Sequence, residues 1–344
     1  MDLHLLLQAV EQSSPVDVVD VLGGELARTV GAGHVALLIA DFSGNAVIRL
    51  SHVEGTGREQ DGHNERGERL LLRGTAHGEV MLSQTVRMVE GSAGWLVLVP
   101  VTERGDAIGV LEVSFSGEPD AELLSYLVAA AHALAYVLIS SRRHTDLFEW
   151  AQRDVPFSIS AEIQRRLLPS AYSMEAGPLT LSGWLEPSHD AGGDTFDYCL
   201  DREHLYLSVT DAMGHAVDAA LLATLTVGTL RNTRRALASP AELPLGIATE
   251  PYRTEALALL PGDRLLVITD GYLDRAAGRL DIEQVMRATP ERHPRQVVQE
   301  LARRLLEVTG GDLYDDATAL CLDWYGEGGV RAAAGGASQE RATT

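Results

Sequence analysis

The sequence has no lysine, so all 28 of its basic residues are arginines. A Walker-type phosphate loop and Schiff-base chemistry both need a lysine amine, and this absence excludes both. Acidic residues number 49, which gives a formal net charge of −21 at pH 7. A negative charge of this size argues against nucleic acid or an anionic membrane surface as the main partner. We therefore expect neither as a partner of this chain.

Cysteine is also scarce, with only Cys199 and Cys321 present. Two cysteines in apolar runs provide neither a disulfide framework nor a thiolate zinc site, and they are typical of core residues. The N-terminal residues Met1-Asp2-Leu3-His4 lack the positive charge of a secretory signal. We expect a cytoplasmic protein in a reducing compartment.

Long uncharged runs are rare, and the longest extends from Leu123 to Ser141. A membrane span needs about 20 apolar residues. This run contains alanine, serine, tyrosine and a histidine, so its composition favours a buried amphipathic helix over a membrane span.

A first domain is expected over residues 1–143, where helical and strand-like patterns follow each other in an α+β order. Residues 53–78 are polar and rich in glycine without a period, which predicts loops. The histidines His52, His63 and His77 suggest a metal, but scattered surface histidines explain them better. The strand-like runs are Val35–Ala40, Trp95–Val101 and Ala107–Phe115.

A helical linker is expected over residues 144–169, interrupted at Asp154-Val155-Pro156 because proline disfavours helix at the residue before it. Such a linker acts either as a switch or as a passive spacer. A second domain then covers residues 170–326, and the tail 327–344 lacks any period and is predicted to be disordered. The strand patterns of the second domain are Leu179–Leu185, Asp197–Leu200, Leu205–Thr210, Arg264–Thr269 and Ala317–Trp324, and its helical patterns are Ala216–Leu237 and Arg295–Thr309.

Four acidic motifs lie in the second domain, each beside glycine or at the end of a strand pattern. They are Gly192-Gly193-Asp194, Asp211-Ala212-Met213-Gly214-His215, Thr269-Asp270-Gly271 and Asp315-Asp316. Carboxylates without cysteines or a histidine cluster are typical ligands of hard cations such as Mg²⁺ or Mn²⁺. Phosphate monoester hydrolysis uses two such ions about 3.5–4 Å apart, which activate a water and screen the charge on the phosphoryl oxygens.

These motifs resemble the SpoIIE-like branch of the metal-dependent protein phosphatases (PPM, type 2C) over about residues 160–325. Further matching motifs are Glu162-x-Gln164, Leu167-Leu168-Pro169 and Pro261-Gly262-Asp263. The resemblance implies an α/β/β/α sandwich and a serine/threonine phosphatase with two Mn²⁺ or Mg²⁺ ions. In bacteria such enzymes often act on a STAS-type antagonist of an anti-sigma factor, so it implies a phosphoprotein of this kind as the substrate.

Carried over to this sequence, the resemblance gives roles to individual residues. Asp211 would bridge both metals, and Asp270 and Asp315 would hold one of them. Asp194 would hold the other, helped by the backbone carbonyl of Ala212. Asp211 and Asp270 are thereby the expected catalytic residues. Asp316 and Asp197 would lie in the layer around the ligands.

His215 follows Asp211 at a spacing that differs from that of the histidine in the eukaryotic branch. A general acid would protonate the leaving alkoxide, but packing or capping at the helix start is the expected role of His215.

The run Val99-Pro100-Val101, then Gly105 to Leu111 and a helix, resembles the end of a GAF domain over about residues 5–143. GAF domains bind small ligands or mediate dimers. The resemblance therefore implies a sensor domain with a small ligand, or a homodimer, ahead of the phosphatase domain.

The stretch between His215 and Asp270 is short for the phosphatase family. One helix is followed almost directly by Leu243-Pro244-Leu245-Gly246, without the further helix, core strands and Ala-Gly-His-x-Pro stretch that family members carry. Three explanations stay open: a naturally short branch, a degenerate non-catalytic relative, or a segment missing from the gene. Three functions accordingly stay open: a phosphatase, a non-catalytic scaffold, and a ligand sensor acting through the first domain alone.

Overall fold

A computed structural model describes most of the chain. The described residues are 3–54, 67–92, 94–153, 157–188, 192–214, 216–236, 256–274, 277–278, 280–327 and 329. The chain divides between residues 156 and 157 into two compact units, called unit 1 and unit 2. The division falls within the predicted linker 144–169, while the domain boundaries at 143 and 169 stay predictions. Of the predicted disordered tail 327–344, all but residues 327 and 329 lie outside the described residues.

Unit 1 has the α+β composition predicted from the sequence. Its helices are α1 (Leu3–Glu11), α2 (Val18–Val30), α3 (Ala76–Ser83), α4 (Ala121–Ser141) and α5 (Leu147–Ala151), and its strands are β1 (His34–Ala40), β2 (Ala46–Glu54), β3 (Arg69–Leu71), β4 (Arg87–Gly91), β5 (Gly94–Glu103) and β6 (Asp106–Phe115). The strands form one sheet in the order β3-β2-β1-β6-β5-β4, and every neighbouring pair is antiparallel.

The largest apolar cluster of unit 1 lies on one face of this sheet. Side chains such as Leu37 and Leu111 pack there against helices α1, α2 and α4. Helix α4 is the one helix in the described residues that is long and apolar enough to cross a membrane by length and composition. Its residues Leu127, Leu134 and Leu138 are fully buried in this core, as expected for an amphipathic core helix.

The prediction of loops over residues 53–78 is wrong for part of that range. Strand β3 pairs with β2, and helix α3 begins at Ala76. The side chain of Thr75 accepts a hydrogen bond from Gly78 N at 3.1 Å and caps this helix. The cap therefore starts a helix where the hydrophobic period of the sequence is too weak to indicate one. Residues 55–66 in the same range lie outside the described residues.

Among its described residues, unit 2 begins with a helix and ends with a strand, and a long helix separates its first four strands from the next one. Its helices are α6 (Ile159–Leu167), α7 (Ala216–Ala236), α8 (Ile282–Ala288) and α9 (Pro294–Thr309), with a short 3-10 helix at Asp270–Tyr272, and its strands are β7 (Ser173–Glu175), β8 (Leu179–Glu186), β9 (Thr195–Leu200), β10 (Leu205–Thr210), β11 (Arg264–Ile268) and β12 (Ala317–Trp324). The described strands form a four-stranded sheet, β11-β12-β8-β7, and a two-stranded sheet, β10-β9.

Three apolar clusters stack these elements into layers. Residues of α9 such as Leu301 pack against Ala319 and Cys321 on the outer face of the four-stranded sheet. Phe196 of β9 packs against Leu320 on its inner face, between the two sheets. Helices α6 and α7 share a separate cluster and cover the two-stranded sheet. Unit 2 is therefore an α/β/β/α sandwich.

The middle of unit 2 is short, as the sequence predicts. Helix α7 ends at Ala236 and β11 begins at Arg264. Residues 256–263, the described part of this interval, contain no helix or strand, and residues 237–255 lie outside the described residues. Of the two cysteines expected in the core, Cys321 is buried and Cys199 is half-buried.

Candidate active site

The four acidic motifs lie at strand ends that the two sheets bring together. Asp194 precedes β9 and Asp211 follows β10, and the adjoining residues Thr195 and Thr210 are partners in the antiparallel ladder. Asp270 follows β11, while Asp315 precedes its partner strand β12. Each strand pair thus places two of the four carboxylates at one of its ends.

Asp194 links the two pairs because it is bound by side chains from the other sheet. Its Oδ2 accepts hydrogen bonds from Thr269 Oγ1 at 2.6 Å and from Thr318 Oγ1 at 2.8 Å. Only 2% of Asp194 is exposed. Burial raises the pKa of Asp194 to about 8, against the effect of the two hydroxyl groups, and the charges of Asp211 and Asp316 raise it further. The two hydroxyl groups hold this carboxylate in one orientation, while burial and the neighbouring aspartates disfavour its ionised form.

The other three carboxylates are exposed and repel each other. Partial burial, and then the charges of Asp270 and Asp315, raise the pKa of Asp211. Partial burial and the charges of Asp316, Asp270 and Asp274 raise the pKa of Asp315. A bound cation would relieve this repulsion.

The glycines of the motifs allow the main chain to pass close to the carboxylates. A Cβ on Gly193 would lie 2.7 Å from the carbonyl oxygen of Ala212, and one on Gly271 would lie 2.1 Å from that of Asp316. Ala212 N donates to Gly193 O at 3.2 Å, so the segments bearing Asp194 and Asp211 are directly bonded. The role of the Ala212 carbonyl as a metal ligand stays a prediction.

Asp316 does lie beside the candidate ligands. Both of its carboxylate oxygens are occupied by hydrogen bonds from Gln164, Ser188 and Gly192. The carboxylate of Asp197 is bound by two arginines of α7, and its place in the layer around the ligands stays a prediction. Arg231 contacts both of its oxygens at 3.1 Å, and Arg234 contacts Oδ2 at 2.7 Å. Asp197 thus joins β9 to α7.

The donor set fits a hard cation by its chemistry, since Asp194, Asp211, Asp270 and Asp315 offer only carboxylate oxygens. Across the part of the chain that the structure describes, no three His, Cys, Asp or Glu side chains form a ready-made metal site. In this structure, no three of the described carboxylates are arranged around a common position for a metal ion. Metal binding by these residues and by the Ala212 carbonyl stays a prediction.

The histidines considered in the sequence have separate outcomes. His77 lies on α3, where its Nε2 is 2.9 Å from Oε2 of the buried Glu112, rather than in a loop. His63, the side chain of His52 and His215 lie outside the described residues. The capping or packing role expected for His215 stays a prediction.

Three residues of the site were not singled out for a role by the sequence. Thr269 and Thr318 each stand within the motifs or a few residues after them, and their hydroxyl groups orient Asp194. Gln164 was part of a family motif, but its contact with Asp316 joins residues that are 152 positions apart. No local pattern reveals a contact at this separation.

The family of SpoIIE, the stage II sporulation protein E, matches residues 233–325, a range that includes Asp270 and Asp315. No curated protein matches the chain. Solved structures similar to the chain include GAF domains, as the sequence predicted.

The GAF domain of an Acinetobacter phosphoenolpyruvate-protein phosphotransferase is 19% identical, with 42% of this chain and 93% of that chain covered at a TM-score of 0.36. Its counterpart from Coxiella burnetii is 18% identical, with coverages of 41% and 92% and a TM-score of 0.36. The GAF-B domain of DevS from Mycobacterium smegmatis is 15% identical, with coverages of 38% and 100% and a TM-score of 0.32.

The fold is α+β, and the similarity of residues 233–325 to the SpoIIE family suggests a function related to that of the PPM-type phosphatases. More particularly, the part of unit 2 that carries Asp270 and Asp315 is SpoIIE-like, as the sequence predicted.

Proposed function

We propose that this chain is a metal-dependent phosphoserine and phosphothreonine protein phosphatase of bacterial signalling. The observation that carries the proposal is the meeting of the acidic motifs at the strand ends of unit 2, where Asp194 and Asp211 both have raised pKa values. The SpoIIE match over residues 233–325 supports the same reaction class.

The reaction would divide the work between the chain and its ions. Two bound Mn²⁺ or Mg²⁺ ions would supply an activated water and positive charge for the phosphoryl oxygens. Asp211, at the end of the two-stranded sheet, and Asp270, at the end of the four-stranded sheet, would bind the ions. Asp315 and Asp194 would be further ligands. Thr269 and Thr318 would keep Asp194 in one orientation through their hydroxyl bonds.

The substrate and the regulation follow from the family resemblance. We propose a STAS-type anti-sigma-factor antagonist as the phosphoprotein, in the cytoplasm, with the GAF-like unit as the regulator. A small ligand or a homodimer contact in unit 1 would carry the signal. The charge of −21 supports a substrate surface that is not itself strongly acidic.

The test uses the purified full chain with p-nitrophenyl phosphate and a phosphoserine-containing STAS protein. We expect hydrolysis with Mn²⁺ or Mg²⁺, none with EDTA, and none in Asp211→Asn. Asp201→Asn is the matched control, since Asp201 is an exposed aspartate of the turn between β9 and β10. Wild-type chain without metal-dependent hydrolysis of either substrate would refute the proposal.

A second candidate is a non-catalytic scaffold that binds the same phosphoprotein without turnover. The short interval between α7, which ends at Ala236, and β11, which begins at Arg264, favours it. The scaffold predicts equal phosphoprotein binding by wild type and Asp211→Asn, with no hydrolysis by either. Loss of a measured hydrolysis in Asp211→Asn would exclude it.

A further inference from the structure

Gln164 is a buried amide that reaches two parts of the acidic site at once. It lies on α6, with 2% of the residue exposed. Its Nε2 donates to the backbone carbonyl of Asp194 at 2.9 Å and to Oδ2 of Asp316 at 2.6 Å. A carboxamide nitrogen carries two N–H donors, so both are used within the site.

Asp316 is the second half of this connection. Its Oδ1 accepts from Ser188 N at 2.8 Å and from Ser188 Oγ at 3.1 Å. Its Oδ2 accepts from Gly192 N at 3.1 Å in addition to Gln164. These four bonds fix the start of β12 against the segment that leads into Gly193-Asp194. Asp316 therefore connects, through hydrogen bonds, the two chain segments that carry Asp194 and Asp315.

The side chain at position 164 must donate twice and carry no charge. Its two partners are a carbonyl oxygen and a carboxylate oxygen, which are both acceptors. Glutamate would place a second negative charge against Asp316, and an apolar side chain would leave both acceptors without their partner. Asparagine, one methylene shorter, would not reach both partners from the same position on α6.

We propose that Gln164 is a positioning residue for the carboxylate ligands, and that its two hydrogen bonds set the affinity of the site for divalent cations. It fixes the backbone of Asp194 directly and that of Asp315 through Asp316. The inference rests on the proposed function, because it assumes that these carboxylates bind metal. Partners in the layer around metal ligands typically change metal affinity by about 10–100-fold when they are removed.

The anchoring of α6 supports this role. Arg231 of α7 donates to the carbonyl of Leu167 at 2.6 Å, and Leu167 packs with Ala223 and Val227 of α7. The helix that carries Gln164 is therefore held from its C-terminal end as well as through the amide. Because α6 is anchored, the amide of Gln164 can hold Asp194 and Asp316 in fixed positions, which a mobile surface side chain could not do.

The experiment compares Gln164→Met with Gln152→Met in the full chain. Gln152 is the matched control in unit 1, since it is also buried and its Nε2 donates to a backbone carbonyl, that of Ala40, at 2.6 Å. Mn²⁺ binding is measured by electron paramagnetic resonance, and amide hydrogen exchange is measured on the metal-free protein.

In Gln164→Met we expect Mn²⁺ affinity to fall about 10-fold or more and the amides of Ser188 and Gly192 to exchange faster. Gln152→Met should keep the wild-type affinity, although both substitutions lower the melting temperature. A folded Gln164→Met protein with wild-type Mn²⁺ affinity would overturn the inference, because a merely structural amide changes stability alone. If Gln164→Met does not fold, Gln164→Asn gives the same comparison with an amide retained.

The outcomes separate this inference from the proposed function. If the wild-type chain binds no Mn²⁺, the proposed metal-dependent function fails, and the inference fails with it. If wild type and Gln164→Met bind Mn²⁺ equally, only the role of Gln164 fails.

Discussion

Thr269 and Thr318 are hydrogen-bonded to each other in both directions. Thr318 N donates to Thr269 Oγ1 at 2.9 Å, and Thr269 N donates to Thr318 O at 3.0 Å. Both hydroxyl groups then donate to the same oxygen of Asp194. The pair therefore leaves Oδ1 of Asp194 without a threonine donor.

Replacement of the two threonines should have unequal effects on stability. Thr269→Val leaves the buried N–H of Thr318 without its acceptor, at a cost of about 1–3 kcal/mol. Thr318→Val orphans no backbone donor, and loses one hydroxyl bond worth about 1 kcal/mol. Urea unfolding of both variants measures the difference. Equal losses in the two would contradict the two-way bonding.

Gly271 should not tolerate a side chain, because a Cβ there would lie 2.1 Å from the carbonyl oxygen of Asp316. Gly271→Ala is expected to destabilise the protein by about 1–3 kcal/mol through a forced shift of the backbone. Gly228→Ala is the control, since Gly228 lies in α7 with nothing within 4 Å of an added Cβ. This control should gain up to about 1 kcal/mol from helix propensity. Thermal unfolding that ranks the two variants in the opposite order would refute the prediction.

Asp197 is expected to matter for stability and not for metal binding. Asp197→Ala leaves Arg231 and Arg234 without their buried carboxylate, which costs about 3–5 kcal/mol when a pair is fully buried and less here because both arginines are partly exposed. The exposed pair Glu283–Arg287 is the control, and Glu283→Ala should cost about 0.5 kcal/mol or less. Denaturant unfolding and Mn²⁺ titration check both claims. A stable Asp197→Ala protein that no longer binds Mn²⁺ would show that Asp197 belongs to the site.

Glu112 should make unit 1 sensitive to acid. Its burial alone would raise its pKa, but hydrogen bonds from His34 and His77 and the charge of Arg49 hold the pKa of Glu112 well below its ordinary value of 4.5. The folded state therefore binds this proton less readily than the unfolded state. The stabilisation from Glu112 is full above pH 4.5 and is lost as the pH falls below that value toward the folded pKa.

The measurement is amide exchange in unit 1 for wild type and Glu112→Gln at several pH values. Wild type should be more stable at neutral pH, and the difference should shrink below pH 4.5. A difference that stays constant from neutral to acid pH would mean that the ionised carboxylate is not its source.

Much of the fold follows from local patterns in the sequence. The apolar runs at Val35–Ala40 and Ala317–Trp324 are strands as predicted, and the aspartates expected at strand ends are found there. Helix α3 was missed because its capping residue Thr75 follows a polar stretch without a period. The period of a short helix is weak, and the cap alone decides where it begins.

The candidate site was predictable in its ligands and not in its surroundings. The sequence identifies Asp211 and Asp270 because hard cations prefer carboxylate ligands, and because glycine stands near both residues in the sequence. The partners of Asp197 lie 34 and 37 positions away on α7, and nothing near Asp197 distinguishes a salt bridge from a role beside the metal. The fold alone brings Arg231 and Arg234 of α7 to Asp197 on β9.

The bond between Thr318 and Asp194 joins residues 124 positions apart. During synthesis, the carboxylate of Asp194 can accept the hydrogen bond from Thr318 only after β12 has left the ribosome. Closing so long a loop is slow and entropically costly. The nascent protein therefore passes through a period in which most of unit 2 exists and its acidic site does not, so that any activity of this site would begin only after β12 has been synthesised.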